Sequence, residues 1–268
     1  MTKERDRARA KRRYAKRELS AAARAARRRR NQAIIGTVVT VLVVVGGVLA
    51  LTRMVGTSVP VSAASTPSAT TSAGAPNPCP APTSAPVATA KSYAKAPAKT
   101  LAQGKVWDAK VTTSCGTIGL ELYGDKAPQT VSSFIFLSRN GFYAGSPCHR
   151  LTSSPALKVL QCGDPTGSGN GGPGYGYGVE NVPADGAFPA GTLAMARGSA
   201  TNSNGSQFFV TYGATTLPSA GGGYSIFGKV TQGMDVLTKV AAGGTTNGQS
   251  DGAPARAISI ESITVTPR

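Results

Sequence analysis

The chain holds a single histidine, His149, in 268 residues. One imidazole excludes any metal centre built on two or more histidines. His149 also has no thiol or hydroxyl partner that the sequence singles out, so no nucleophilic triad is indicated. Acidic residues are scarce, 12 against 29 Lys/Arg. The imbalance is local: residues 1–30 carry 14 Lys/Arg and 3 Asp/Glu, whereas residues 105–268 carry 11 and 9. A nearly neutral C-terminal part is a poor candidate for a nucleic-acid-binding domain, despite a pI near 10.2. The four cysteines, Cys79, Cys115, Cys148 and Cys162, form no CxxC pair, which argues against a zinc knuckle. The glycine-rich run over 167–178 contains Pro173 and two tyrosines and opens no helix, so it reads as a surface loop and not a phosphate cradle.

Long apolar runs are also missing, with one exception. Residues 33–51 contain no charge at all. As a helix, 19 residues span about 28 Å, close to the hydrocarbon thickness of a bilayer. Four arginines precede the run and only Arg53 follows it, which places the N-terminus in the cytoplasm and the bulk of the chain outside. A cleaved signal peptide is the rival reading. Both the basic region and the apolar run are longer than such peptides carry, and an uncleaved anchor is expected. The basic tail then serves as a topology signal with some attraction for anionic lipid. Residues 57–100 are rich in Ala, Ser, Thr and Pro, with too little apolar surface to offset the entropy of ordering. The expected organisation is a basic tail over 1–32, a transmembrane helix over 33–52, a linker or disordered stalk over 53–104, and a folded domain over 105–268.

In that last part the pattern turns to short β-type runs. A hairpin is expected around Cys115-Gly116, between residues 111–114 and 118–122. Pro128 suits a first helical turn, followed by the apolar stripe Val131, Phe134, Ile135 and Leu137. Further strands are expected at 148–151, 158–161, 192–196, 207–211, 226–230 and 257–265, with a second helix at 234–241. Many strands, two helices and glycine-rich loops point to a mainly β fold, a closed antiparallel barrel with helices over its ends.

Three segments carry the chemistry: His149-Arg150, then Gly205-Ser206-Gln207-Phe208-Phe209, then Phe227-Gly228-Lys229-Val230. In that order and at those spacings they resemble the cyclophilin family of peptidyl-prolyl cis/trans isomerases. The residues supply an arginine, amides and an apolar hollow, but no nucleophile and no acid/base pair. Rotation about an X–Pro bond needs equipment of that kind. The resemblance covers about residues 105–268 and implies an eight-stranded closed barrel capped by two helices. It implies that Arg150 donates to the prolyl amide, that Gln161 orients the arginine and bonds the substrate backbone, and that Phe209 floors the proline pocket. Val159 and Leu217 would line that pocket. Ala196 and Arg197 would pair with the substrate backbone, Gln207 belongs to the Ser-Gln-Phe-Phe motif with Phe208 as its core-facing neighbour, and Tyr224 stands where well-studied members have histidine. No cofactor and no metal is implied. Clients would be proline-containing polypeptides, with membrane attachment through one helix, no nucleic acid, and a monomeric chain.

The sequence departs from the family pattern at Lys158 (a second pocket phenylalanine in the best-studied members), Thr216 (a tryptophan that binds cyclosporin in many) and Arg197 (an asparagine). A more open, more basic pocket with weaker cyclosporin binding follows. These departures also keep open a non-catalytic proline-segment-binding chaperone or scaffold. Outside the cytoplasm an even cysteine count favours disulfides. Cys148 and Cys162 fall on strands expected to be neighbours, which favours that bridge and leaves Cys79 for Cys115; four free thiols are the alternative.

Overall fold

The first hairpin shows how the sequence builds the sheet. In β1 (Val106–Thr113) the side chains of Trp107, Ala109, Val111 and Thr113 are buried, and in β2 (Gly116–Tyr123) those of Ile118, Leu120 and Leu122. That is the period of two of a half-buried strand. The strands pair from Val106↔Tyr123 to Thr113↔Gly116, so only Ser114 and Cys115 make the turn, and Gly116 takes φ 131°. The computed structural model describes residues 79–80, 85–219 and 221–268. The expected basic tail and transmembrane helix lie outside the described residues. Among the described residues no helix is long and apolar enough to cross a membrane.

Helix α1 (Pro128–Arg139) starts on Pro128, whose missing N–H costs nothing there. It has no local side-chain cap. Glu180, from a distant loop, accepts hydrogen bonds from the backbone N–H of Gln129 (3.0 Å) and Thr130 (2.8 Å) and from Thr130 Oγ1 (2.9 Å), which satisfies donors the helix cannot. Val131, Phe134, Ile135 and Leu137 are buried on its inner face. Phe134 meets Tyr143, Phe208 and Phe227 at ring-centroid distances of 5.4, 5.7 and 5.5 Å.

Next in the chain come β3 (Ser146–Pro147), β4 (Arg150–Ser154), β5 (Leu157–Cys162), β6 (Ala187–Phe188), β7 (Thr192–Met195), β8 (Phe208–Thr211), β9 (Thr215–Thr216) and β10 (Ile226–Gln232). Helix α2 (Met234–Ala242), β11 (Asp251–Gly252) and β12 (Ser259–Pro267) complete the chain. Ten strands form one antiparallel sheet in the order β11-β4-β5-β8-β7-β10-β2-β1-β12-β3, and β6 pairs with β9 apart from it.

The mainly β architecture with two helices is as expected. The closed eight-stranded barrel is not what the pairing gives. The curled sheet has ten strands, and its ladder ends at β11 and β3, each two residues long. The chain passes directly from β3 to β4 through Cys148 and His149 without a ladder between those two strands. Strands of two residues carry no readable alternation, which is why they were not expected.

A second difference concerns the expected linker over 53–104. Its described part from residue 85 onward runs against the domain. Val87 N–H donates to Pro165 O (3.1 Å) and Tyr93 N–H to Pro173 O (2.8 Å). The Tyr93 ring packs edge-on against Phe136 at 4.9 Å. Ala102 is fully buried and accepts from Trp107 Nε1 at 2.9 Å. A few well-placed apolar residues anchor a segment whose mean composition reads as unstructured.

Candidate active site

Strand register decides which side chains meet. Arg150 on β4 faces Gln161 on β5, Gln161 faces Phe209 on β8, and Phe209 faces Ala194 on β7. The four form one row across the sheet, on one face. Val159, two residues before Gln161, lies on the same face, because side chains alternate along a strand. The alternate residues turn the other way: Leu160, Cys162, Met195 and Phe208 belong to the core under α1. Val159, Phe188, Ala194 and Phe209 make a second, smaller apolar cluster, with Leu157, Ala196, Leu217, Tyr224 and Ile226 packed around it.

That second cluster floors a cavity of about 870 Å³. All nine expected site residues line it: Arg150, Val159, Gln161, Ala196, Arg197, Gln207, Phe209, Leu217 and Tyr224. Phe209 is buried at its base, with the rings of Phe188 and Tyr224 each 6.0 Å from its own. Lys158 and Thr216, two of the departures from the family pattern, are not among the lining residues. Lys158 lies over Gly213, and Thr216 pairs with Ala187 in the small β6–β9 ribbon.

The polar side of the cavity is one continuous chain of hydrogen bonds. Asp251 accepts from Arg150 Nε (2.8 Å) and Nη2 (2.7 Å). Arg150 Nη1 donates to Gln161 Oε1 (3.3 Å), and Gln161 Nε2 donates to Gln207 Oε1 (2.9 Å). Gln207 Nε2 donates in turn to the carbonyls of Gly169 and Gly171, both at 2.9 Å. Every amide is thereby oriented: an arginine can only donate, so Gln161 must present its oxygen to it, and the sense propagates to the loop. The bidentate pair with Asp251 raises the pKa of Arg150 and lowers that of Asp251.

The glycine-rich run over 167–178 forms the far wall. Its centre is the fully buried Asp164. The carboxylate accepts from Thr166 N and Oγ1, Ser168 Oγ, Gly169 N and Gly171 N. Burial alone would raise its pKa, but the donated hydrogen bonds outweigh that and leave it lowered. Gly171 must be glycine: a Cβ there would stand 1.9 Å from Asp164 Oδ1.

His149 turns away from this chemistry. Neither ring nitrogen has a hydrogen-bond partner, burial lowers its pKa, and its ring packs beside Gly169. Cys148 is bonded to Cys162 and Cys79 to Cys115. The first bridge lies on the core face directly behind Arg150 and Gln161. Asp251 is the site residue that sequence reasoning missed. It sits in a turn-rich segment with no periodicity to mark it. The scarcity of acids was the only signal available.

Comparison with known proteins identifies the family. A family model described as "Cyclophilin type peptidyl-prolyl cis-trans isomerase/CLD" matches residues 109–265, more than half of the chain. The chain belongs to the cyclophilin family. It is 42% identical over 167 residues to "Probable peptidyl-prolyl cis-trans isomerase B" of Mycobacterium tuberculosis, covering 57% of this chain and 52% of that protein. This cyclophilin thus spans about half the length of that curated relative. It is also 37% identical over 137 residues to a peptidyl-prolyl cis-trans isomerase of Helicobacter pylori, covering 50% of this chain and 80% of that one. A crystal structure of a cyclophilin-type isomerase from Cryptosporidium parvum superposes with a TM-score of 0.51 at 29% identity, covering 61% of this chain and 99% of the other. A second structure of the same protein, in the presence of the dipeptide Ala-Pro, gives a TM-score of 0.51 at 30% identity, covering 60% and 99%.

Proposed function

We propose that this cyclophilin is a peptidyl-prolyl cis/trans isomerase that assists the folding of exported proteins from the outer face of the membrane. The barrier to rotation about an X–Pro bond is about 20 kcal/mol and comes from amide resonance. In the twisted transition state the prolyl nitrogen becomes pyramidal and regains its lone pair. A donor fixed beside it stabilises that state more than the planar one, and each ~1.4 kcal/mol of difference is tenfold in rate. In this reading the proline ring rests on Phe209, between Val159 and Leu217. Asp251 holds one edge of the Arg150 guanidinium and Gln161 the other, so that the remaining N–H groups face the imide nitrogen without reorganisation. Gln161 and the backbone at Ala196 and Arg197 grip the substrate chain while one side of the bond turns.

The observation that carries this reading is the shared row of Arg150, Gln161 and Phe209 on one cavity floor. Ala-Pro accompanying the Cryptosporidium relative supports a proline-containing ligand class. The anchor over 33–52, a cytoplasmic N-terminus, an extracytoplasmic domain and a monomeric chain complete the proposal, supported by the charge-free run and its flanking arginines. In a proline-isomerisation assay on the full chain in detergent, Arg150→Ala should lower kcat/KM by roughly 100- to 1000-fold, the effect of losing one preorganised donor. A wild type with no rate to lose would favour the scaffold reading. Deleting residues 1–56 should release the protein from membranes and leave peptide isomerisation intact.

A further inference from the structure

We infer that Arg197 makes this groove select clients with a carboxylate side chain next to the isomerising proline. The inference rests on the proposed isomerase reading of the same cavity and names the client class it favours.

Arg197 follows β7 directly and lines the cavity together with Arg150, Val159 and Phe209. Its guanidinium is fixed by three carbonyls. Nη1 donates to Gly221 O (2.8 Å) and Gly223 O (3.1 Å), and Nη2 donates to Ala200 O (2.8 Å). A guanidinium has five N–H donors, so three acceptors leave it unsaturated. Its Nε–H is buried and has no acceptor at all.

The charge is equally unmet. The ion pairs among the described residues join Arg150 to Asp251, Lys229 and Arg268 to Glu121, Lys239 to Asp235, and Arg268 to Asp108; none involves Arg197. No Asp or Glu lines the cavity. The two arginines of the groove therefore differ. Arg150 is neutralised by the carboxylate it is tied to, and Arg197 is met only by carbonyl dipoles. The groove's uncompensated positive charge sits at Arg197.

The surroundings leave that charge open to a client. Gly198 and Gly221–223 flank it and carry no side chains that would cover it. Gly222 comes so near that a Cβ there would lie 3.3 Å from Nη1. Nη1 spends both its hydrogens on carbonyls and Nε is buried, so one N–H of Nη2, already ordered and with the unpaired charge behind it, is left to meet a carboxylate. Being fixed beforehand, it loses little side-chain entropy when it does.

The test compares kcat/KM of the full chain on succinyl-Ala-Xaa-Pro-Phe anilides with Xaa as Glu, Gln or Lys, and on a second set with the variable residue after the proline. In one of the two sets Glu should exceed Gln by about three- to tenfold at low salt, with Lys below Gln, as for a partly exposed ion pair. The Glu/Gln ratio should approach one in Arg197→Gln and be partly kept in Arg197→Lys. An arginine that only clamps its loops would move all substrates together and leave the ratio unchanged. Equal Glu and Gln rates on both flanks, or a ratio that survives Arg197→Gln, would overturn the inference. If no peptide is turned over, the isomerase reading fails by itself. The same ratio is then read from peptide affinities in NMR titration, where tighter Glu binding supports Arg197 selectivity and equal affinity ends it.

Discussion

The two walls of the groove are built in different ways. One comes from adjacent strands, β4, β5 and β8, and places Arg150, Gln161, Val159 and Phe209 by register. The other comes from loops around residues 169–176, 197–203, 217–219 and 221–224, and is held by side chains bonded to backbone: Asp164 and Gln207 on the glycine run, Arg197 on Ala200, Gly221 and Gly223. A strand ladder fixes every side chain at once, since a one-residue slip would turn the whole row to the other face. A loop must be fixed group by group. The residues expected to act on the prolyl bond, Arg150, Gln161 and Phe209, sit on the strand wall. Of this chain's departures from the family pattern, Arg197 and Tyr224 line the cavity, and both stand on the loop wall.

The strand wall also has a covalent staple, which the loop wall lacks. Cys148–Cys162 closes a sequence separation of 14 residues across β4 and β5. A loop of about that length is worth roughly 3 kcal/mol in the chain-entropy account. Replacing both residues in Cys148→Ala/Cys162→Ala should lower the urea-unfolding free energy by about that amount, the largest stability effect expected here. A loss well under 1 kcal/mol would mean that the ladder alone holds this wall.

The same division explains what could be read from the sequence. The six principal strands after the first hairpin are visible as short β-type runs and the first helix as an apolar stripe, although β4 at residues 150–154 shares only Arg150 and Leu151 with the expected 148–151. The resemblance implies opposite faces for Phe208 and Phe209, and the two apolar clusters separate them in that way. Arg150 and Asp251 are 101 positions apart and meet across a two-residue ladder, which no local pattern announces. The packing of residues 85–104 was illegible for another reason. Tyr93 and Ala102 act through the partners they find, Phe136 and Trp107, while the composition around them signals disorder.

Gly171→Ala tests the loop wall. The added methyl cannot coexist with Asp164 Oδ1 at 1.9 Å, and the flanking backbone hydrogen bonds to that carboxylate would have to give way. A buried carboxylate losing some of its donors costs about 1–3 kcal/mol. The expected outcome is a stability loss of about 2 kcal/mol, smaller than that of the disulfide variant, together with a raised KM as Gln207 loses its two carbonyl partners. A variant with unchanged KM would show that the loop does not shape the groove.

Asp251→Asn is the finest of these tests, because it perturbs the strand wall without a change of shape. The paired arginine holds the carboxylate below the usual Asp range, while its modest burial pulls the other way. A group with a lowered folded-state pKa contributes at pH values above its ordinary range, and the contribution fades as the pH falls through the lowered value. The kcat/KM of the wild type should therefore decline on the acid side as Asp251 takes up a proton and releases the Arg150 edge. Side-chain exposures of 40% for Arg150 and 52% for Asp251 keep the pair well solvated. Its worth is about 0.5–1 kcal/mol, a two- to fivefold change in rate. Asparagine should show the lower rate at neutral pH and lack that acid limb, so that the two profiles converge in acid, and Asp251→Glu should recover part of the limb. The carboxylate also offsets the charge that the imide nitrogen sees, so its two effects oppose each other. A higher kcat/KM in Asp251→Asn would mean that this attenuation outweighs the orientation, and that the strand wall trades catalytic power for order.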